Sequence, residues 1–123
     1  MGADPRQSLG IWGEDVACEE LKLRGYAILA RRYRTRAGEI DIVARDGDTL
    51  VFVEVKTRAA GGQFGSGAAA ITPWKQRRMA HMALHFLTRA GWTTKPCRFD
   101  VVVVDREPDK VHVELFTNAF TVA

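Results

Sequence analysis

The chain has 123 residues, of which 46% are hydrophobic and 27% charged, and its formal net charge at pH 7 is +3. This is the composition of an ordinary globular domain, and it excludes a disordered, collagen-like or coiled-coil chain. No run approaches the roughly 20 apolar residues of a membrane helix and no signal peptide is recognisable, so we expect one cytoplasmic domain over residues 1–123, with no membrane partner.

The first predicted element is a helix. Ser8 is a suitable N-cap, the helix should run to about Arg24, and Gly25 suits its C-terminal end. One apolar stripe recurs at helical spacing and consists of Ala17, Cys18 and Leu21. Glu14 lies on that same stripe. An acid near the start of a helix also suits the helix dipole, so the position of Glu14 does not establish a function by itself.

Three strands are predicted next, at 26–33, 39–44 and 49–56. The Asp46-Gly47 dipeptide between the last two indicates a hairpin. The stretch 59–70 consists mostly of Gly and Ala, which predicts a mobile loop.

The second half of the chain predicts a helix followed by two strands. Thr72 and Pro73 are suited to the start of the helix and Gly91 to its end. Its core-facing stripe comprises Met79, Met82, Ala83, Phe86, Leu87 and Ala90. The continuous apolar run 98–105 is typical of a central strand covered on both faces, and 111–116 should pair with it as a hairpin. The cysteines, Cys18 and Cys97, fit no metal-ligand spacing and are expected to be buried thiols.

Basic residues are segregated from acidic ones along the chain. Residues 21–38 and 55–99 together hold 14 of the 18 Lys and Arg residues and no acid. Lys75, Arg77 and Arg78 also crowd the first turn of the second helix, where cations oppose the helix dipole. A polyanion such as nucleic acid is the natural partner of such surfaces, although a basic surface without a partner would fit the charge equally well.

The residues best suited to carry chemistry are Asp41, Glu54 and Lys56. Glu54 and Lys56 are two positions apart on one strand and therefore project from the same face, while the valines beside them fill the other. A hairpin loop of even length, centred on Asp46-Gly47, predicts that Asp41 pairs with Phe52. Asp41 is then a diagonal neighbour of Glu54, with roughly 7–8 Å between the backbones. An odd loop would separate the two acids to opposite faces.

Acids gathered on one sheet face repel each other unless a positive group lies among them. A hard divalent cation, Mg²⁺ or Mn²⁺, takes carboxylate and water oxygens and would relieve that repulsion. The simpler alternative is an exposed sheet face that carries a Glu and Lys pair. The basic stretches on both sides of the acids favour the metal, because they could hold a phosphate backbone against it.

These residues resemble the signature of the PD-(D/E)XK nuclease superfamily: an acid near one strand, then an acid, any residue and a lysine on the next. Here it reads Asp41 and Glu54-Val55-Lys56. The element order is similar to that of the superfamily's restriction-endonuclease-like core. Longer strings between about residues 9 and 104 resemble the YraN-like bacterial family, which is related to archaeal Holliday junction resolvases. They are Gly13-Glu14, Gly38-Glu-Ile-Asp41, Val51-Phe-Val-Glu-Val-Lys-Thr-Arg58, Lys75 and Arg98-Phe-Asp-Val-Val102.

The resemblance implies an α/β fold with a mixed central sheet and helices on its faces, in the order αβββαββ. It implies that Asp41 and Glu54 bind the metal, that Lys56 stabilises charge on the phosphate, and that Glu14 completes the site from the first helix. The Val55 carbonyl is expected to be a further metal ligand.

We therefore expect a Mg²⁺- or Mn²⁺-dependent endonuclease that acts on DNA, with branched or junction DNA among its candidate substrates. The residues expected to contact nucleic acid are Arg58, Lys75, Gln76, Arg77 and Arg78. One alternative is a nucleic-acid-binding module that keeps the nuclease fold without cleavage, and another is a protein-interaction domain. Junction resolution needs two active sites and hence a homodimer. The apolar stretch 111–120 could provide the interface, although its favoured use is to cover its own core.

Overall fold

The computed structural model describes residues 5–59 and 71–121. They form two helices and five strands, in the order α1 (Pro5–Leu23), β1 (Ala27–Thr35), β2 (Gly38–Asp46), β3 (Thr49–Arg58), α2 (Pro73–Ala90), β4 (Cys97–Arg106) and β5 (Val111–Phe120). The predicted order αβββαββ is confirmed. The predicted mobile loop, apart from Ala59, lies outside the described residues.

All five strands belong to one sheet, with the spatial order β1-β2-β3-β4-β5. Hairpins join β1, β2 and β3 as antiparallel neighbours, and another joins β4 to β5. β3 and β4 run parallel, so the chain must cross over the sheet between them, and α2 lies in that connection. The result is the predicted restriction-endonuclease-like fold, with a mixed central sheet and a helix on each face.

The two helices bury separate cores on opposite faces of the sheet. The predicted stripe of α1 packs against Val51 and Val53 of β3, whereas the stripe of α2 packs against Leu50 and Phe52 of the same strand. Side chains alternate along a strand, so β3 supplies both cores. Full burial of each large apolar side chain contributes about 1.5–3 kcal/mol, which fixes both helices on the sheet.

The ends of the helices were predicted with one error. α1 begins at Pro5, so Ser8 lies inside the helix rather than at its N-cap. Proline is well suited to a first turn because its missing N–H has no helical partner there. Gly25 (φ 91°) follows α1, Thr72 caps α2, and Gly91 (φ 75°) ends it, all as predicted.

Two burial predictions also need correction. Ala90, the last residue of α2, is exposed instead of completing the core stripe, and Leu87 is the last buried residue of the helix. Cys18 is a buried thiol as predicted, but Cys97 is exposed at the first position of β4.

The predicted central strand is confirmed, since residues 99–104 of β4 are all buried. β5 extends four residues further than the predicted strand, and its Phe120 ring stacks on Phe99 with 4.9 Å between centroids. Phe116, Ala119 and Phe120 pack against buried residues of the same chain, so β5 covers its own core. Among the described residues, no helix is both long and apolar enough to cross a membrane.

Candidate functional site

The β2–β3 hairpin determines where the acids meet, and its predicted register is wrong by one turn position. The loop has the predicted even length but consists of Gly47 and Asp48, so Phe52 pairs with Val43 instead of Asp41. Gly47 has φ 59° and occupies the first central position, as in a type II′ turn. Glycine is needed at that position, and this moves the centre of the turn one residue along the chain.

This register brings the two acids closer than predicted. Ile42 pairs with Val53, so one residue further on Asp41 stands directly opposite Glu54. The regular ladder stops there, and the Val55 N–H donates to Oδ2 of Asp41 at 2.8 Å in place of a backbone carbonyl. The carboxyl groups of Asp41 and Glu54 are within hydrogen-bonding reach of each other.

Both carboxyl groups titrate abnormally because of this arrangement. Burial, followed by the charge of Glu54, raises the pKa of Asp41 to about 7, although the hydrogen bond from Val55 opposes the shift. Burial also raises the pKa of Glu54, against the lowering effect of Lys75. Two partly buried carboxyl groups in contact must share either a proton or a cation. Perturbed acids of this kind are common at functional sites.

The donor set fits a hard divalent cation. Mg²⁺ is commonly bound through one or two carboxylates and keeps several of its waters, which is what Asp41 and Glu54 can offer. Across residues 5–59 and 71–121, no cluster of three or more Asp, Glu, His or Cys side chains could hold a metal ion by itself. A cation here would therefore depend on this pair, with water and a backbone oxygen such as the Val55 carbonyl as its other ligands.

Lys56 brings a positive charge to the predicted site. Strand alternation places it on the same face as Glu54, and its side chain is partly buried. Within the part of the chain that the structure describes, Lys56 makes no hydrogen bond or ion pair. Its ammonium group is therefore available to an anion beside the carboxyl pair.

Glu14 reaches the same region from α1. It is 7% exposed, and its carboxylate accepts hydrogen bonds from Nε of Arg31 and Nε of Arg32. Glu14, Arg32 and Asp41 line one open cleft of about 600 Å³. The other residues that line the cleft are Leu9, Gly10, Ile11, Arg34, Glu39, Val55 and Thr57. The structure therefore brings Glu14 and Asp41 to one cleft, while Glu54 also contacts Lys75 of α2.

The basic first turn of α2 lies against Glu54. Nζ of Lys75 is 3.6 Å from Oε1 of Glu54, and the charge of Arg78 lowers the pKa of Glu54 as well. The Arg78 guanidinium lies 4.6 Å from the centre of the Trp74 ring, and its Nε is buried without a hydrogen-bond partner. This places an exposed aromatic ring and two cations beside the carboxyl pair.

Three predicted nucleic-acid contacts have different surroundings. Arg77 is exposed on α2, whereas Gln76 donates from Nε2 to the carbonyl of Ile71 at 3.0 Å. Arg58 forms a two-pronged ion pair with Asp105, at 2.6 and 3.0 Å, that links β3 to β4. Gln76 and Arg58 therefore already have partners within the protein, and their contact with nucleic acid stays a prediction.

Sequence reasoning missed three residues of this region. Arg32 and Arg34 stood out only as members of the basic stretch 21–38, and nothing in the sequence places them in the cleft with Asp41. No prediction was attached to Trp74, yet it is 58% exposed and lies under Arg78. The one available signal was a tryptophan within a run of bases, a combination suited to nucleic acid.

Comparison with known proteins identifies relatives over nearly the full chain. A family model described as "Uncharacterised protein family UPF0102" matches residues 13–104, a range that includes Glu14, Asp41, Glu54 and Lys56. A UPF0102 protein of Geobacter sulfurreducens is 47% identical over 123 residues, covering 99% of this chain and 95% of the relative. A UPF0102 protein of Symbiobacterium thermophilum is 50% identical over 113 residues, covering 91% and 95% respectively. A third, from Magnetococcus marinus, is 43% identical over 121 residues, covering 98% and 97%.

Proposed function

We propose that this chain, which belongs to the uncharacterised protein family UPF0102, is a metal-dependent endonuclease that hydrolyses phosphodiester bonds in DNA. The observation that carries the proposal is the contact between Asp41 and Glu54. Two acids with raised pKa values lie together at the break in a sheet ladder, and basic side chains surround them. Such a pair is costly for a purely structural surface, and it suits a site that takes up a cation.

Asp41 and Glu54 would hold Mg²⁺ or Mn²⁺, with the Val55 carbonyl as a further ligand. When bound, the cation would offset negative charge on the phosphate and lower the pKa of a water molecule at the site. Lys56, which has no partner among the described residues, would offset the charge that develops on the phosphate oxygens. Lys75 already touches Glu54 and would bind a neighbouring phosphate of the same strand.

The basic turn of α2 supports nucleic acid as the substrate. Lys75, Arg77 and Arg78 lie within four residues of one another at the end of the helix nearest to Glu54. Phosphate contacts of this kind give affinity for DNA without reading its sequence. The proposed enzyme is therefore a structure-selective or non-specific nuclease, with flap and four-way DNA as the branched substrates to test.

One observation favours the alternative of a nucleic-acid-binding module without cleavage. Lys75 lies 3.6 Å from Glu54, and its ammonium group can balance part of the acidic charge in the absence of a metal. A shared proton between Asp41 and Glu54 would balance the rest. The two functions differ in one respect only, since cleavage requires metal binding at the pair and DNA binding does not.

The deciding experiment is a gel panel of labelled duplex, single-stranded, flap and four-way DNA with Mn²⁺, scored for both mobility shift and cleavage. The variants are Glu54→Gln, which keeps the shape of the side chain, and Glu20→Gln, a control on α1 whose partner is the exposed Arg24. We expect cleavage by the wild type and by Glu20→Gln, and its loss in Glu54→Gln. Shift without cleavage on every substrate would support the binding module.

A thermal melt with Mn²⁺ tests the metal separately from DNA. A ligand that binds only the folded protein adds about 2.7 kcal/mol at 100 times its dissociation constant. We expect Mn²⁺ to raise the Tm of the wild type and of Glu20→Gln but not of Glu54→Gln. Equal shifts in all three proteins would place the metal elsewhere and contradict the proposed ligands.

A homodimer is proposed only as a consequence of a junction substrate, because cutting two strands of a four-way junction needs two sites. Cleavage of four-way DNA by a protein that sediments as a monomer would contradict it. Cleavage of flap or single-stranded DNA requires no dimer.

A further inference from the structure

Arg32 has a backbone conformation that residues other than glycine rarely adopt. Its φ is 53°, in the left-handed region, and it lies on β1 between residues that pair with Ile42 and Ile40 of β2. The position opposite Arg32 is therefore Asp41. A residue other than glycine in this conformation is strained, and such strain persists only where the surrounding structure enforces it, often at a functional site.

At Arg32, the side chains of β1 change the face of the sheet toward which they point. Arg31 faces α1, where its guanidinium bonds to Asp15, whereas Tyr33 packs in the core under α2. Strict alternation would place both on one face. β2 changes in the same way, because Ile42 lies in the α1 core and Ile40 in the α2 core. The two irregular positions, Arg32 and Asp41, face each other across this break.

The side chain of Arg32 is held by one end and free at the other. Its Nε donates to both carboxylate oxygens of Glu14, at 3.2 and 3.4 Å. Its terminal nitrogens make no hydrogen bond to any of the residues that the structure describes. The side chain is 38% exposed, and it lines the cleft that contains Asp41. Arg31 also touches Glu14, so the charge of Glu14 is balanced without Arg32.

We propose that Arg32 binds a non-bridging oxygen pair of the DNA phosphate that lies beside Asp41, and that Glu14 acts as its positioning residue. The inference rests on the proposed nuclease function and adds a phosphate-binding group to it. A guanidinium held at Nε presents its terminal N–H groups in a fixed plane, which matches the oxygens of a phosphate. Glu14 then serves the site through Arg32 instead of through the metal.

The strained backbone gives a direct way to separate function from folding. Glycine adopts φ 53° without strain, so Arg32→Gly removes the guanidinium and the strain together. Asn is the next most tolerant residue in this conformation, so Arg32→Asn is a second variant of the same kind. The matched control is Arg31→Ala, because Arg31 is the neighbouring arginine that also donates to the Glu14 carboxylate.

The experiment measures three quantities for each variant: the urea midpoint, DNA affinity in EDTA, and kcat/KM with Mn²⁺ on the preferred DNA. We expect Arg32→Gly and Arg32→Asn to unfold at or above the wild-type urea concentration. Their DNA affinity and kcat/KM should fall about 10- to 100-fold, the loss expected for a charge-assisted contact. Arg32→Lys should recover part of the affinity, and Arg31→Ala should keep most of it.

Each other outcome has a definite meaning. A lower urea midpoint for Arg32→Gly would show a structural residue and overturn the inference, as would a stable Arg32→Gly that binds and cuts DNA like the wild type. Asp41→Asn, included in parallel, tests the nuclease itself. If Asp41→Asn cuts like the wild type while Arg32→Gly loses DNA affinity, the proposed metal site fails and the phosphate contact stands.

Discussion

Gly13 packs directly against Thr57 of β3, and its replacement by alanine offers the sharpest test of how α1 packs on the sheet. A Cβ at residue 13 would lie 2.0 Å from Oγ1 and 2.7 Å from Cγ2 of Thr57. Neither distance is possible between unbonded heavy atoms, and a β-branched side chain has few other rotamers to adopt. Gly13→Ala must therefore push α1 away from β3 and carry Glu14 with it.

The size of the effect follows from two opposing contributions. Replacing an interior helical Gly by Ala adds about 1 kcal/mol of helix propensity. Overpacking a tight contact costs about 1–3 kcal/mol. Gly10 lies on the same helix, and a Cβ there would meet no atom within 4 Å. The propensity gain is common to both variants, so Gly13→Ala should be less stable than Gly10→Ala by about 1–3 kcal/mol, the overpacking cost alone.

Urea unfolding of both variants measures this difference, and a double mutant assigns it to the contact. Thr57→Ala removes the two atoms nearest to the new Cβ but leaves its own Cβ 2.9 Å away. Combining Gly13→Ala with Thr57→Ala should therefore recover part of the lost stability, but not all of it. A Gly13→Ala protein as stable as Gly10→Ala would refute the close approach of α1 to β3.

Three further predictions concern single side chains. Burial and the charge of Glu54 raise the pKa of Asp41 from 3.8 to about 7. The protonated carboxyl therefore stabilises the metal-free fold, and this contribution is complete below about pH 3.8 and is lost as the pH rises through 7. The urea midpoint of the metal-free wild type should thus fall more between about pH 5 and pH 8 than that of Asp41→Asn, and parallel profiles would contradict the shift. Asp100 is fully buried and accepts hydrogen bonds from Tyr26, Arg98 and the Asn118 N–H, so Asp100→Ala should cost about 3 kcal/mol or more, against about 1 kcal/mol for Tyr26→Phe. Equal losses in urea unfolding would show that Asp100 acts only through Tyr26. Lys75 contacts Glu54 and would compete with a cation for it. In the absence of DNA, Lys75→Gln should therefore bind Mn²⁺ more tightly than the wild type, and it should bind DNA more weakly. Weaker Mn²⁺ binding by this variant in thermal titrations would exclude the competition.

The fold was predictable because its signals are local. The apolar stripe of α2, its Thr72 cap and the Gly91 end were all readable within one segment of sequence. The continuous apolar run of β4 likewise indicated a strand with neighbours on both sides. The start of α1 was not predictable in the same way, because both Pro5 and Ser8 are good helix-start residues and only the helix itself shows which one is used.

The acids of the site were predictable in kind but not in geometry. The sequence itself supplies the acids, and strand alternation places Glu54 and Lys56 on one face. A hairpin loop of even length is enough to place Asp41 on that face as well. The distance between Asp41 and Glu54 depends on which two residues form the turn, and the positive φ of Gly47 decides that. A shift of one turn position changes a diagonal pair into a facing pair, which brings the carboxyl groups into contact.

What sequence reasoning could not reach is the irregular backbone that builds the cleft. The left-handed residue Arg32 and the interrupted ladder at Asp41 both violate strand alternation, and neither carries a sequence signal. Yet the violation is what turns Arg32 toward Glu14 and leaves the Val55 N–H to bond a carboxylate instead of a carbonyl. A regular sheet would have directed Asp41 and Arg32 into the core or into solvent. The site therefore exists because two neighbouring strands break their pattern at the same level, and the stability lost there is balanced by the two cores above and below it.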